Sequence, residues 1–347
     1  MRKNGWAVLA GLAMLCGHTA PLAAGDYTGS YFVTLGALAR YTMRIEQTGA
    51  TALFSLSGKG MEVAGGGTVA GANVVLESDL DGQGRLRLEL EFSPTGNTCA
   101  GTWALSGVGW ARGTVTASRT PWPTWDLATH SLPLLVAASP VELVKIGKIS
   151  RFRSGEGHDY SDDFESCRSM KHYYLVRPGL DPGAVPIFSP VSGTVIGTHQ
   201  EGESETLWKG TAVGIVPDGF PAFDFVLYHV ELARPLGVGE RVTAGQLLGS
   251  SAKSSGTSTD VAAGVHTPQG YRLISLFELM PDWLFAALQQ YGVASRQALI
   301  ITEAERNAQP LVCHGEQFAS PGAIPNWVEL SPPPAGRLRR RLGRFPG

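Results

Sequence analysis

Residues 186–265 are a succession of short β-branched runs broken by Gly, Pro, Asp and Ser: PIFSPVSGTVIGTH, GTAVGIVPDG, DFVLYHVELA, LGVGERVTAGQLLGSS and SGTSTDVAAGV. Such punctuation predicts many short antiparallel strands joined by tight turns. A second β signal lies upstream. RLRLELEF at 85–92 sets Leu86, Leu88, Leu90 and Phe92 on one face and Arg85, Arg87, Glu89 and Glu91 on the other. Tyr41, Met43 and Ile45 alternate in the same way with Thr42, Arg44 and Glu46. Strands of period 2 have one buried and one wet face. With turn signals TGA, SGKG, AGGG, DGQG and SPTGN between them, residues 25–119 read as a small antiparallel β-barrel or sandwich without a catalytic constellation, an accessory module. The chain is therefore expected to be mostly β.

Four blocks of the central stretch also resemble, in order and spacing, the lysostaphin-type (LytM-like) zinc endopeptidases that cut peptidoglycan cross-bridges. PVSGTVIG is similar to that family's "dGtV" hairpin and LYHV to its "YaHl" strand. VGERVTAGQLLG is similar to its "VkvGdxVxxGqxIG" hairpin, and SGTSTDVAAGV stands where it has "TGxstGpHlHfev". The resemblance covers mainly residues 172–265. It implies a folded antiparallel sheet with a groove across it for residues 141–330 and one or two short helices. Those helices are expected over LISLFELMPDWLFAALQQYGV, where Asp282 can cap, Trp283 and Phe285 belong to the core and Gly292 ends the helix, and over 295–306.

The family's chemistry needs three zinc ligands, an open position and proton-handling groups nearby. His229 matches the "YaH" histidine, with Tyr228 before it. The HxH position reads Asp260-Val261-Ala262, so Asp260 takes the first, proton-handling place and Ala262 the place of a ligand. Spacing to Gly193 puts His172 at the ligand histidine and Val176 at the ligand aspartate, whereas His158-Asp159-Tyr160-Ser161-Asp162 fits HxxxD literally but lies far upstream. Carried over, the resemblance implies His229 and Asp260 as catalytic groups, His172 as a surviving metal ligand with His158 and Asp162 as substitutes, and Tyr173, Tyr228 and Arg168 as substrate-binding. Zinc is expected only on a degenerate ligand set.

The stretch GHDYSDDFESCRSMKHYY gathers His158, Asp159, Asp162, Asp163, Glu165, Cys167, Arg168, Lys171 and His172. It reads either as a solvated loop bonded to itself or as a loop folded over the groove. His130, His199, His266 and His314 read as structural or exposed.

The beginning, MRKNGWAVLAGLAMLCGHTAPLAAG, has a basic n-region, an apolar h-region and Ala23-Ala24 as a cleavage site, the pattern of a secretory signal peptide over residues 1–24. The protein is thus expected to be periplasmic or secreted, with no membrane span. Of Cys99, Cys167 and Cys313, the last two fall in the same region and are the favoured disulfide, with unpaired thiols as the alternative. Residues 120–140 read as a linker packed on a surface. The tail at 331–347 is Pro-rich, basic and expected to be disordered. Of 28 basic and 30 acidic residues, the leader holds two of the basic ones and the tail five, which leaves an acidic body. That balance argues against nucleic acid as the main partner.

Three functions fit such a chain: a peptidoglycan endopeptidase with a rearranged zinc site, a non-catalytic relative that binds wall peptide or regulates a cell-wall hydrolase, and a sugar-phosphotransferase or biotinyl carrier. The carrier fails on compartment and on the lack of a carrier lysine in an exposed turn. The binding reading stands ahead of the peptidase because two of the ligand places hold Ala262 and Val176.

Overall fold

The computed structural model describes residues 25–331 apart from 59–60, 81–83, 108–109, 203, 205–206 and 254–258. The leader and nearly all of the basic tail lie outside the described residues.

The alternating segments form eight antiparallel strands in sequence order: β1 (Gly29–Leu35), β2 (Leu38–Thr48), β3 (Thr51–Gly58), β4 (Met61–Ala70), β5 (Asn73–Asp79), β6 (Gly84–Phe92), β7 (Thr98–Gly107) and β8 (Trp110–Ser118). Each pairs with the next, and β8 returns to β1, so the sheet closes into a barrel. Leu86, Leu88, Leu90 and Phe92 of β6 point inward to Tyr31, Met43, Leu56 and Leu76. On the wet face Arg87 pairs with Glu77 and Glu89. The interior is thus filled by side chains, as a barrel of this size requires. Two-residue turns join β2 to β3 and β4 to β5, where Gly49 (φ +60°) and Gly71 (φ +63°) supply the left-handed backbone.

The seam of the barrel is shared. One edge of β8 pairs with β7 throughout. Its other edge pairs with β1 over 115–118 and then with β12 (Gly193–Gly202) over 110–113. Gly113 permits this, since a Cβ there would stand 2.4 Å from the Thr198 carbonyl oxygen.

From β12 the sheet continues through β13 (Trp208–Pro217), β14 (Phe223–Leu232), β17 (Asp260–Thr267) and β18 (Gly270–Ile274). β10 (His172–Val176) adds to β17, and β9 (Ile146–Ser150) joins β10 to β21 (Trp327–Glu329). The short strands β11 (Pro186–Phe188), β15 (Arg241–Val242) and β16 (Leu247–Ser251) fold over the far side. All eight residues of β17 are buried, because both of its faces are covered. One face carries Phe225, Leu227, Val261, Ala263 and Val265 against α1 (Asp282–Gln290). The other carries Val226, Tyr228, Asp260 and Ala262 toward the barrel.

α1 begins after Pro281, with Asp282 inside its first turn, and buries Phe285 and Leu288. Trp283, expected in the core, is 66% exposed: helical spacing turns it away from the face that holds Phe285. The stretch 295–306, expected as one short helix, instead holds a 3-10 turn at Arg296–Leu299 and the start of α2 (Glu303–Ala308), which opens with a capping box between Thr302 and Glu305. Residues 120–140 lie along the sheet, where Trp122 stacks on His266 and the Trp125 backbone N–H donates to the His266 carbonyl. Cys167 and Cys313 are bonded, with Cα atoms 5.7 Å apart, and Cys99 is a buried free thiol. The bond ties the charged loop at 155–171 to the hairpin of β19 (Cys313–His314) and β20 (Gln317–Phe318). Among the described residues no helix is long and apolar enough to cross a membrane.

Candidate functional site

Where the barrel meets the sheet there is a cavity of about 660 Å³. Leu38, Met61 and Trp110 line it from the barrel; Tyr160, Tyr173 and Tyr228 line it from the sheet and its loop. Basic and acidic groups reach it: Lys171, Lys209, His158, His199 and His229 against Glu156, Glu201 and Glu316.

The backbone explains why two successive residues of β14 face this space. Thr211 pairs with Val230 and Val213 with Leu227, so Tyr228 and His229 together oppose the single residue Ala212. This is a β-bulge, and it re-aims the side chain that strict alternation would send into the core. His229 adopts φ +58°, a left-handed conformation that costs a non-glycine residue of order 1–3 kcal/mol. β14 also changes partner here, from β17 up to Tyr228 to β16 from Val230.

Tyr228 is the direct cross-strand partner of Asp260, and His229 Nε2 lies 3.2 Å from Asp260 Oδ1. The other ring nitrogen, Nδ1, is 3.2 Å from the Lys209 carbonyl oxygen and 3.6 Å from Glu201 Oε1. Both nitrogens therefore face acceptors. Lys171 Nζ contacts Asp260 Oδ2, and the two side chains are 2% and 0% exposed. The ammonium also lies 3.2 Å from His158 Nε2 and 4.5–5.0 Å from the ring centroids of Tyr228, Tyr160 and Tyr173. Burial alone would discharge such a lysine; the Asp260 carboxylate and the tyrosine oxygens outweigh it and hold Lys171 above the usual lysine range. Glu201 behaves similarly. Burial raises its pKa, but the hydrogen bond and charge of His199, with the charges of His229 and Lys171, bring the carboxyl down to about 2. Arg40 of β2 enters from the barrel, 7% exposed, with its guanidinium over the rings of Tyr160 and Tyr271 and no hydrogen bond of normal geometry.

The expected site residues divide. His229, Asp260, Tyr173, Tyr228 and His158 come together. His172, expected to reach the groove, does not. It pairs with Val261 on the core side of the sheet, where Nδ1 meets the Ser150 carbonyl oxygen at 2.8 Å and Nε2 meets Ser275 Oγ at 2.9 Å. Its neighbours are Phe152 and Phe277. The physical reason is the two-residue repeat of a strand: Lys171 and Tyr173 face the groove, so the residue between them cannot. Asp162 is likewise committed elsewhere, accepting from the N–H groups of Phe164, Glu165 and Leu273. Arg168, expected to bind substrate, is buried against Glu165 and Asn307, with Arg153 on the same carboxylate. Val176 packs beside the main core, and Ala262 lies on the groove face with only a methyl group.

These residues do not fit the zinc expected from the sequence. His172 has both ring nitrogens engaged, Asp162 accepts from three backbone donors, Ala262 offers no donor, and an ammonium rests on Asp260. Among the described residues no group of three His, Cys, Asp or Glu side chains is arranged to hold a metal. The sequence reading missed Glu201 and Lys209 and took His199 as structural or exposed; it named Lys171 only as a member of the charged loop that could fold over the groove.

No family model matches this chain, and no curated protein does. Among solved structures it is similar to Helicobacter pylori Csd3 in an orthorhombic crystal, at 14% identity and a TM-score of 0.30 over 70% of this chain and 57% of that one. The hexagonal crystal of the same protein gives 15% identity and a TM-score of 0.29 over 73% and 55%. The chain spans little more than half the length of those structures.

Proposed function

We propose that this is an exported, cell-wall-associated binding module: a lysostaphin-type relative whose groove takes a peptidoglycan peptide, or a segment of a cell-wall hydrolase, without cutting it. The observation that carries the reading is the ion pair of Lys171 and Asp260 at the centre of the groove. A hydrolase of this type needs a Lewis acid and a metal-activated water there. An ammonium supplies neither. The cavity suits peptide instead, with tyrosine faces for apolar contact, charged groups of both signs and a volume within the usual range for ligand sites. The Cys167–Cys313 bond supports an oxidising compartment, and with the leader-like beginning it supports a periplasmic or secreted location.

The test is co-sedimentation of the purified full chain with peptidoglycan sacculi, followed by chromatography of the supernatant with and without added zinc. The expected result is saturable sedimentation that weakens in Tyr173→Ala and Tyr228→Ala, with no soluble fragment released. Release of fragments that depends on zinc would restore the peptidase reading. Failure to sediment would remove the wall-peptide ligand.

A further inference from the structure

β10 and β17 meet where Tyr173 pairs with Asp260, and Lys171, the residue just before β10, lays its ammonium on the Asp260 carboxylate. Other lysine pairs, Lys145 with Glu142 and Lys253 with Asp181, stand at the surface. Lys171 and Asp260 are 2% and 0% exposed, so an amine and a carboxyl group touch where water does not reach them. Asp260 also differs from the other buried acids. Asp162 accepts three backbone N–H groups, and Glu165 is held by two guanidinium groups, whereas neither Asp260 oxygen has a hydrogen bond of normal geometry. An imidazole stands at each end of the pair. His158 Nδ1 meets the Asp159 carbonyl oxygen at 3.0 Å, which places the ring proton there and turns the Nε2 lone pair toward Lys171 Nζ, 3.2 Å away. At the other end His229 Nε2 lies 3.2 Å from Asp260 Oδ1.

We propose that Lys171 and Asp260 condense to an amide, an intramolecular isopeptide bond that ties β10 to β17, and that the ion pair is its precursor. The Nζ–Cγ bond forms and one Cγ–O bond of Asp260 breaks. Of the three ammonium protons, one stays on the amide nitrogen, one passes to the carboxylate in contact with it, and one is taken by His158 Nε2. The departing oxygen leaves as water when His229 Nε2 gives it a second proton, and solvent restores both rings. In open water such a condensation runs backward. Here the fold holds the amine against the acid, and well-oriented intramolecular partners reach effective molarities of about 10⁵–10⁸ M. Burial keeps out the water that would reopen the bond, and the product removes two charges from a site that penalises both. The ring faces of Tyr160, Tyr173 and Tyr228, 4.5–5.0 Å from Nζ, wall the site. The charges favour the ion-paired form, so the reacting form, an amine beside a neutral acid, is the minor one. The step is therefore slow, which a bond made once in each molecule tolerates. It would close a loop of roughly ninety residues beside the one closed by Cys167 and Cys313. The proposal does not depend on which ligand the groove binds.

The experiment is intact mass spectrometry of the purified full chain, followed by tryptic mapping. The wild type should be lighter, by the mass of one water, than calculated from its ends and its disulfide. Trypsin does not cut after an acylated lysine, so the digest should contain a branched peptide that joins Lys171 to Asp260. Lys171→Arg and Asp260→Ala should have their calculated masses. His158→Ala and His229→Ala should be recovered largely unlinked, since a positioned acid or base is worth roughly 100-fold or more in rate; full linkage in both would overturn the parts given to the two rings. The bond itself is overturned if the wild type has its calculated mass and is cut after Lys171, or if the lost water maps to another position. The wild-type measurement needs no variant to fold. Sedimentation with sacculi is read separately, so failure of the mass test and failure of the binding reading are distinct results.

Discussion

Gly210 lies directly against His229: a Cβ on Gly210 would stand 2.7 Å from the Cα of His229. The contact is backbone to backbone, so neither side can yield by turning a side chain. Gly210 itself has φ +114°, outside the region an L-residue adopts. The bulge that brings His229 into the cavity depends on this missing side chain. Gly210→Ala should therefore lower stability by at least about 2 kcal/mol and reduce ligand binding. Chemical denaturation measures the first effect, and an unchanged midpoint would show that the bulge does not need the glycine.

Lys171 and Asp260 are expected to behave as a unit. Removing one partner leaves the other charged and buried, and such losses run to about 3–5 kcal/mol. Asp260→Ala and Lys171→Met should each show a loss of that size. The double variant Lys171→Met with Asp260→Leu should recover more than half of the sum, because no charge is then left stranded. A double-mutant cycle by urea unfolding gives the coupling; simple additivity would mean that the pair is not coupled.

Reduction should act on the loop that carries His158. The Cys167–Cys313 bond joins positions 146 residues apart, and closing so long a loop is worth about 2–5 kcal/mol. Cys167→Ser with Cys313→Ser should lower the Tm. It should also increase hydrogen exchange of the Gln317 amide, since its hairpin pairs only with itself among the described strands. Unchanged exchange there would show that other contacts hold the hairpin.

Two buried histidines set an acid limit. Burial lowers His172 and His266 to about 4, below the ordinary 6.5. Between those values the unfolded chain binds protons that the folded chain does not, so stability is complete above pH 6.5 and is lost as pH falls toward 4. Each ring contributes about 3 kcal/mol across that window. In unfolding measured from pH 7 to pH 4, His172→Gln should reduce the pH slope by nearly one proton. An unaltered slope would mean that His172 already titrates normally in the folded protein.

The strands of the barrel were legible because alternation carries a strand's two faces in its residues, as β6 shows in Arg85 to Phe92. The meeting of His229 and Asp260 was legible from the order of blocks. The error at His172 has a simple cause: in a strand, a shift of one residue exchanges the faces. Spacing located the strand but not the register, and Lys171 takes the position that His172 was given. Lys171 was hidden for another reason. A lysine in a polar stretch reads as solvated, and only the fold shows that Asp260, some ninety residues later, neutralises it. Arg168 and Asp162 looked chemical for the same reason that they are structural, since a loop that must be buried needs charged partners for its own backbone and side chains.

The seam at β8 bears on how the cavity can operate. Its outer edge passes from β1 to β12 by main-chain hydrogen bonds, and the Ala37 N–H of the barrel donates to His199 Nδ1 of β12. Barrel and sheet are therefore one continuous hydrogen-bonded surface folded at a corner, and the cavity is the inside of that corner. A cleft between two hinged bodies selects a ligand by shutting on it, whereas a corner of this kind has its width fixed before the ligand arrives. For the peptide proposed as ligand, the fixed width of the corner lined by Trp110 and Tyr228, and not closure, would set what enters.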